Sequence, residues 1–294
     1  MRIVSSIYNL KQLNKFIGYI DSALLMTQYS LIYEDDFDLD KAISLCLNNN
    51  VEPILAINKI MHPNDINEIS IFIDKYKDKN ILFYASDLGV ANIAIKKGII
   101  NKFIFNPETM ITNYLDLDIY QSYGFKALAM SLEIPINDVK DSYLKTNANM
   151  IYQIFGHRLM FYSKRKLISL YEKKNNDSYI KNEMYLREVT RNDYLPVIEN
   201  KNGTFIYRSY LISLLDNLDK LEFLEYGYLE SLYLDDAIYL KVLKIYHSYL
   251  NNEISKDKAI NLLNELKLNI EDGFTYKDSV YQKEELKRWV NLNY

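Results

Sequence analysis

Eight short apolar runs punctuate the chain: RIVSS (2–6), FIGYI (16–20), VEPILAIN (51–58), KNILFYAS (79–86), NKFIFN (101–106), GFKALAMS (124–131), NMIYQIF (149–155) and YLESLYL (228–234). They are apolar at successive positions rather than alternate ones. Strands of a parallel sheet read this way, because both of their faces are covered. Between most of the runs the period changes to that of a helix. DLDKAISLCLNN opens on acidic residues, HPNDINEISIFIDKYK opens on Pro63-Asn64-Asp65, and LGVANIAIKKG closes on Lys-Lys-Gly, where cations meet the negative end of the helix dipole. IPINDVKDSYLKT and ISLLDNLDKLEFLEYG follow the same logic. Strands alternating with helices predict an α/β fold, a TIM-like (β/α)8 barrel over residues 1–250. A doubly wound sheet is the rival, since periodicity alone does not reveal closure.

The alternation breaks once. Residues 166–212 read as a polar excursion, with short strands at 185–190 and 204–208 and turns at 191–193 and 200–203. They predict a β-hairpin insert after the seventh strand. Two amphipathic segments, 255–268 and 282–290, predict a helical tail over 251–294.

Composition narrows the chemistry. The chain has 294 residues and a net charge of −4, so it is no generic polyanion binder. Its single cysteine, Cys46, rules out an intrachain disulfide and any cluster or zinc site built on several thiolates, and its apolar setting predicts a core residue. No metal-ligating set and no cofactor are read from the sequence. The N-terminus lacks a charged segment followed by a long apolar one, and no run of about 18 apolar residues occurs. A cytoplasmic protein outside the membrane is expected.

In a barrel, function sits at the C-terminal ends of the strands. Those ends carry Asn58 and His62, Asp87, then Glu108, Thr109 and Asn113, then His157 and Arg158, and finally Asp235 and Asp236. His62 and Asp87 are the candidate base and orienter, or a metal pair if they converge. Asp87, Glu108 and Asp235 serve equally well as helix caps. His247 reads as structural. Ser163 stands beside Lys164 without the spacing of a serine hydrolase. The most distinctive stretch is IYQIFGHRLMFYSKRKLISLYEK (151–173). Between His157 and Arg187 there are eight Lys or Arg against three Asp or Glu, interleaved with tyrosines. Cations on phosphates and tyrosines on bases make such a segment a nucleic-acid candidate; solvated surface is the alternative.

This stretch resembles the signature region of peptidase family U32, the collagenase-like proteases, where a strand ends in His-Gly and a Ser-[Gly/Lys]-Arg element follows. AINKIMHPNDINEI (56–69), SDLGV (86–90), NPETMITNY (106–114), GFKALAMSLEIPINDVK (124–140), REVTRNDYLPVIENKNGTFI (187–206) and LESLYLDDAIYLKVLKIYHSYL (229–250) extend the likeness in order, and DGFTYKDSVY (272–281) resembles the end of short members. The resemblance implies a TIM-like barrel with a β insert and a part in hydroxylation, such as that of the tRNA wobble uridine. The short members that lack cluster cysteines work beside a longer paralogue, so tRNA and such a paralogue are the implied partners. Asn58, Glu108, Thr109, Asn113, Ser163, Lys164 and Arg165 are the implied binding residues, and His157 and Arg158 join them as candidates by their place at the strand end. A peptidase and a pure interaction barrel are the alternatives. The family's Arg-Glu is Met130-Ser131 here, its His-Gly is Phe155-Gly156, and its Lys-Ile-[Asp/Glu]-Gly is Tyr233-Leu234-Asp235-Asp236. These departures predict a non-catalytic or weakly catalytic subunit.

Overall fold

The computed structural model describes residues 1–175, 184–187, 189 and 192–277. Its strands are β1 (Arg2–Ile7), β2 (Ser22–Leu25), β3 (Glu52–Ile57), β4 (Leu82–Ala85), β5 (Phe103–Phe105), β6 (Ala127–Leu128), β7 (Ile151–Ser163), β8 (Met184–Arg187), β9 (Tyr194–Asn200), β10 (Gly203–Ser213) and β11 (Tyr226–Leu229). The helices are α1 (Leu10–Phe16), α2 (Leu39–Asn48), α3 (Asp65–Tyr76), α4 (Leu88–Lys96), α5 (Tyr114–Ser122), α6 (Ile136–Thr146), α7 (Leu167–Asn175), α8 (Asp236–Leu250) and α9 (Lys256–Glu265). One mixed sheet holds all eleven strands in the order β6-β5-β4-β3-β2-β1-β11-β7-β10-β9-β8.

The α/β class agrees with the sequence reading, and the sheet is a curled half-barrel. Its parallel part runs from β6 through β1 to β11 and β7. Residues of one face, such as Leu25, Leu55, Phe83 and Phe105, join the core beneath the helices. Those of the other face, such as Leu24, Ile54, Tyr84 and Ile104, form a second core inside the curl. This double burial is why the runs lack polar alternation. The predicted closed barrel goes further than this sheet: β6 has two residues, and a single bridge, Leu128 to Met150, links it to the chain entering β7.

Three local expectations change. FIGYI is the end of α1 and a short 3-10 turn; the strand is the next segment, Ser22–Leu25. The predicted helix after residue 212 is a 3-10 segment, Leu215–Leu221. The insert is larger than a hairpin. β7 continues six residues past His157 and pairs antiparallel with β10, which pairs with β9 and then β8, and α7 packs beside this ribbon. Gly203 begins β10 at φ 137°, and a Cβ there would stand 2.1 Å from the Ser163 carbonyl oxygen, so the turn admits only glycine. In the tail, α9 lies within the predicted 255–268, whereas 282–290 lies outside the described residues. Among the described residues, no helix is long and apolar enough to cross a membrane.

Candidate functional site

A cavity of about 120 Å³ opens inside the curl at the C-terminal ends of the strands. The ribbon folds over it. Asn202 donates to the Ser30 carbonyl at 2.7 Å and Asn200 to the Leu31 carbonyl at 2.9 Å, which ties the β9–β10 turn to the loop after β2. Beneath it Leu31, Phe205 and Tyr207 form a small core of their own.

Glu230, just beyond β11, anchors the cavity floor. It is 8% exposed, and its carboxylate accepts from Ser6 Oγ (2.7 Å), Tyr8 OH (2.9 Å), the Leu232 amide (2.9 Å) and Tyr228 OH. Charge-assisted bonds of this number offset the cost of burying a carboxylate. Burial beside that charge drives the Tyr8, Tyr207 and Tyr228 hydroxyls well above their ordinary pKa, so they stay protonated donors. Gly156 makes the arrangement possible. It sits at φ 114°, and a Cβ there would meet the Glu230 carbonyl oxygen at 2.5 Å. It thus serves close strand approach rather than a turn out of the sheet.

Glu108 enters from the opposite wall. Its φ of 58° is unusual for a residue with a side chain, and Asn106 holds it there by accepting the Glu108 amide at 3.0 Å. Asn106 also donates to Tyr84 OH at 2.5 Å. Desolvation raises the Glu108 carboxyl to about 7, while the solvent it still meets at the mouth opposes that shift. His157 lines the cavity beside it. Its Nδ1 lies 2.9 Å from the Arg208 carbonyl, which only a protonated nitrogen can satisfy. Nε2 is then an acceptor, and burial lowers the pKa, keeping the ring neutral.

Of the residues chosen from sequence, the cavity gathers Asn58, Glu108, Thr109 and His157. It does not gather His62 or Asp87. His62 is exposed, its amide bonded to Asp65 at 2.7 Å. Asp87 caps α4, accepting from Gly89 (2.6 Å) and Val90 (3.3 Å). Asn113 caps α5 through Leu115 (3.0 Å) and Asp116 (3.1 Å). Arg158 is not part of the cavity lining; it is 6% exposed and donates to the Leu132 carbonyl at 3.1 Å, beside the Tyr152 ring. Lys164 bonds the Ile60 carbonyl (3.1 Å) and Asp65 (3.3 Å), and the neighbouring Tyr162 OH accepts from the Ile60 amide at 2.8 Å. Together they strap the ribbon to the loop after β3. Ser163 Oγ accepts from the Arg165 amide at 3.2 Å, and the Arg165 side chain is exposed.

Sequence reasoning missed Glu230, Tyr84, Tyr207 and Asn106. Glu230 was within reach, as an acid inside the apolar run YLESLYL; Asp235 and Asp236 instead cap α8 and pair with Lys15. The tyrosines carried no signal among 27. Cys46 is buried and its thiol is pushed up to about 12, in keeping with a core residue. Among the described residues no Ser–His or Cys–His pair is hydrogen-bonded, and no group of three or more His, Cys, Asp or Glu is placed to hold a metal.

Comparison with known proteins places these features in a family. The chain is 22% identical over 271 residues to the "tRNA hydroxylation protein P2" of Bacillus subtilis (strain 168), covering 83% of this chain and 85% of that one. The solved structure of the U32 peptidase Mk0906 superposes with a TM-score of 0.51 at 7% identity, covering 78% of this chain and 92% of that one, a likeness of fold. The profile of peptidase family U32 matches residues 33–285, and the chain belongs to that family.

Proposed function

We propose that this protein supports 5-hydroxylation of a tRNA wobble uridine, as a subunit that contacts the RNA. The observation that carries the reading is the continuity of β7. It lines the cavity at Ile151–Leu159 and then runs into a ribbon bearing exposed Met160, Phe161, Tyr185 and Tyr194. Around that ribbon, Arg165, Lys166, Lys173 and Lys174 form no ion pair among the described residues. Aromatic faces for bases beside cations for phosphates suit RNA. The relative named for tRNA hydroxylation supports the same reading. The long paralogue, the closed barrel and a non-catalytic role belong to this proposal and rest on the family resemblance. The peptidase alternative lacks support in the cavity, where the Ser131 hydroxyl accepts the Glu133 amide at 3.2 Å and meets no histidine.

The test is mass spectrometry of tRNA nucleosides from a strain lacking the gene. Loss of 5-hydroxyuridine derivatives, restored by wild type but not by the Arg165→Ala/Lys173→Ala/Lys174→Ala variant, is the expected result. Unchanged nucleosides in the deletion strain, with no paralogue compensating, overturn the reading.

A further inference from the structure

The cavity carries chemistry that the basic ribbon does not. Among the described residues its lining holds no Lys or Arg, and it includes the carboxylates Glu108, Glu133 and Glu230. A phosphate or carboxylate ligand would enter against that field without a counter-charge. The volume, about 120 Å³, falls well below the roughly 300–1,000 Å³ of sites for drug-sized ligands. It suits one small ring, not a whole nucleotide.

Three polar groups remain to meet that ring. Tyr207 is 6% exposed and lines the cavity, yet its hydroxyl has no hydrogen-bond partner among the described residues. A phenol this deeply buried ordinarily has one. Tyr84, also 6% exposed, accepts from Asn106, so its own O–H is left to donate. Glu108 makes no side-chain hydrogen bond among the described residues, and both tyrosines feel its charge. The set therefore offers two donors and one acceptor. Uracil offers the complement along its pairing edge: a carbonyl, an N–H, a carbonyl. Cytosine replaces one carbonyl with an amino donor, which would face a tyrosine O–H, and its N3 carries no proton for Glu108 to accept.

We infer that the cavity binds a uracil ring turned out of an RNA strand, with Glu108 accepting its N–H and Tyr84 and Tyr207 donating to its carbonyls. This rests on the RNA reading above and adds the residues that select the base. Removing the base from its stack is unfavourable, and the rings of Tyr8, Tyr152 and Tyr228 around the cavity supply the apolar contact that offsets it.

The experiment is photocrosslinking of the full-length protein to an anticodon stem-loop carrying 5-iodouridine at the wobble position, with sites mapped by mass spectrometry. Crosslinks are expected on cavity tyrosines, competed by an unlabelled uridine stem-loop and more than about tenfold less by its cytidine counterpart, which loses two of the three hydrogen bonds. Tyr207→Phe should lower the cavity crosslink by a similar factor of about ten while overall stem-loop binding is retained. Glu108 is on an exposed loop, so Glu108→Gln gives a second reading should Tyr207→Phe misfold. Crosslinks confined to the ribbon, or equal competition by cytidine, overturn the cavity assignment and leave the tRNA reading standing. Absence of any crosslink, with tRNA hydroxylation unchanged in the deletion strain, overturns both.

Discussion

Glu108 shows how one backbone angle sets a chemical property. Its left-handed conformation costs on the order of 1–3 kcal/mol for a residue with a Cβ, and the Asn106 side chain stabilises it by capping the amide. The carboxyl is thereby carried to the cavity wall, where desolvation pushes its pKa up from about 4.3, the value for an unfolded chain, toward about 7, against the solvent that still reaches it. The folded state holds this proton more tightly than the unfolded state. The resulting stabilisation is complete below about pH 4.3 and is lost as pH rises towards about 7. Thermal melts at pH 5 and pH 8 test this directly. Wild type should lose more Tm across that interval than Glu108→Gln, and equal losses would show that Glu108 titrates normally. Neither the angle nor the shift is visible in the string NPETM. Pro107 and Asn106 suggest a turn, but only the tertiary fold brings Glu108 to the cavity that Tyr84 and Tyr207 also line.

At the scale of the element, several polar residues at strand ends do helix work. Asp87 is the sharpest case, because it follows β4 where a barrel places catalytic groups, yet its Oδ1 binds two amides of α4. Capping predicts a specific pattern of substitutions. Asp87→Ala should destabilise the fold by about 0.5–2 kcal/mol, whereas Asp87→Asn, which also caps, should cost far less. Chemical denaturation measures both. If Asp87→Asn abolishes tRNA hydroxylation without loss of stability, the carboxylate has a chemical role beyond the cap. The ribbon follows a similar logic. Lys164 and Tyr162 belong to the stretch SKRK and its approach, which reads as a free cationic cluster, but they fasten β7 to the Ile60–Asp65 loop. The outward-facing charge falls to Arg165, Lys166 and α7.

Over the whole molecule, charge is sorted rather than spread. A chain of net charge −4 keeps an anionic cavity beside a cationic ribbon. Under the RNA reading, the ribbon supplies affinity and the cavity supplies selectivity. Affinity for tRNA should then fall steeply with salt. The plot of log K against log salt should flatten by about 0.7–0.9 for each phosphate contact removed in Arg165→Ala, Lys173→Ala and Lys174→Ala. Binding titrations at several salt concentrations check this. A slope unchanged by all three substitutions would place the RNA elsewhere on the surface.

What the sequence determined by itself was local and periodic. Apolar runs covered on both faces fix the parallel strands, capping residues fix the helix starts, and Asn200–Gly203 marks the turn that becomes β9–β10. The alternation of these elements sets the α/β class, because each such strand must be covered twice. Some boundaries slipped where two apolar segments adjoin: FIGYI and Ser22–Leu25 read alike locally, and only pairing with β1 and β3 selects the second. Tertiary structure alone decided the site. Tyr8, Tyr84, Asn106 with Glu108, Tyr207 and Glu230 come from five separate segments that meet where the sheet curls. No local period records which of 27 tyrosines faces inward. That depends on register, since a shift of one residue turns a strand's side chains to the opposite face.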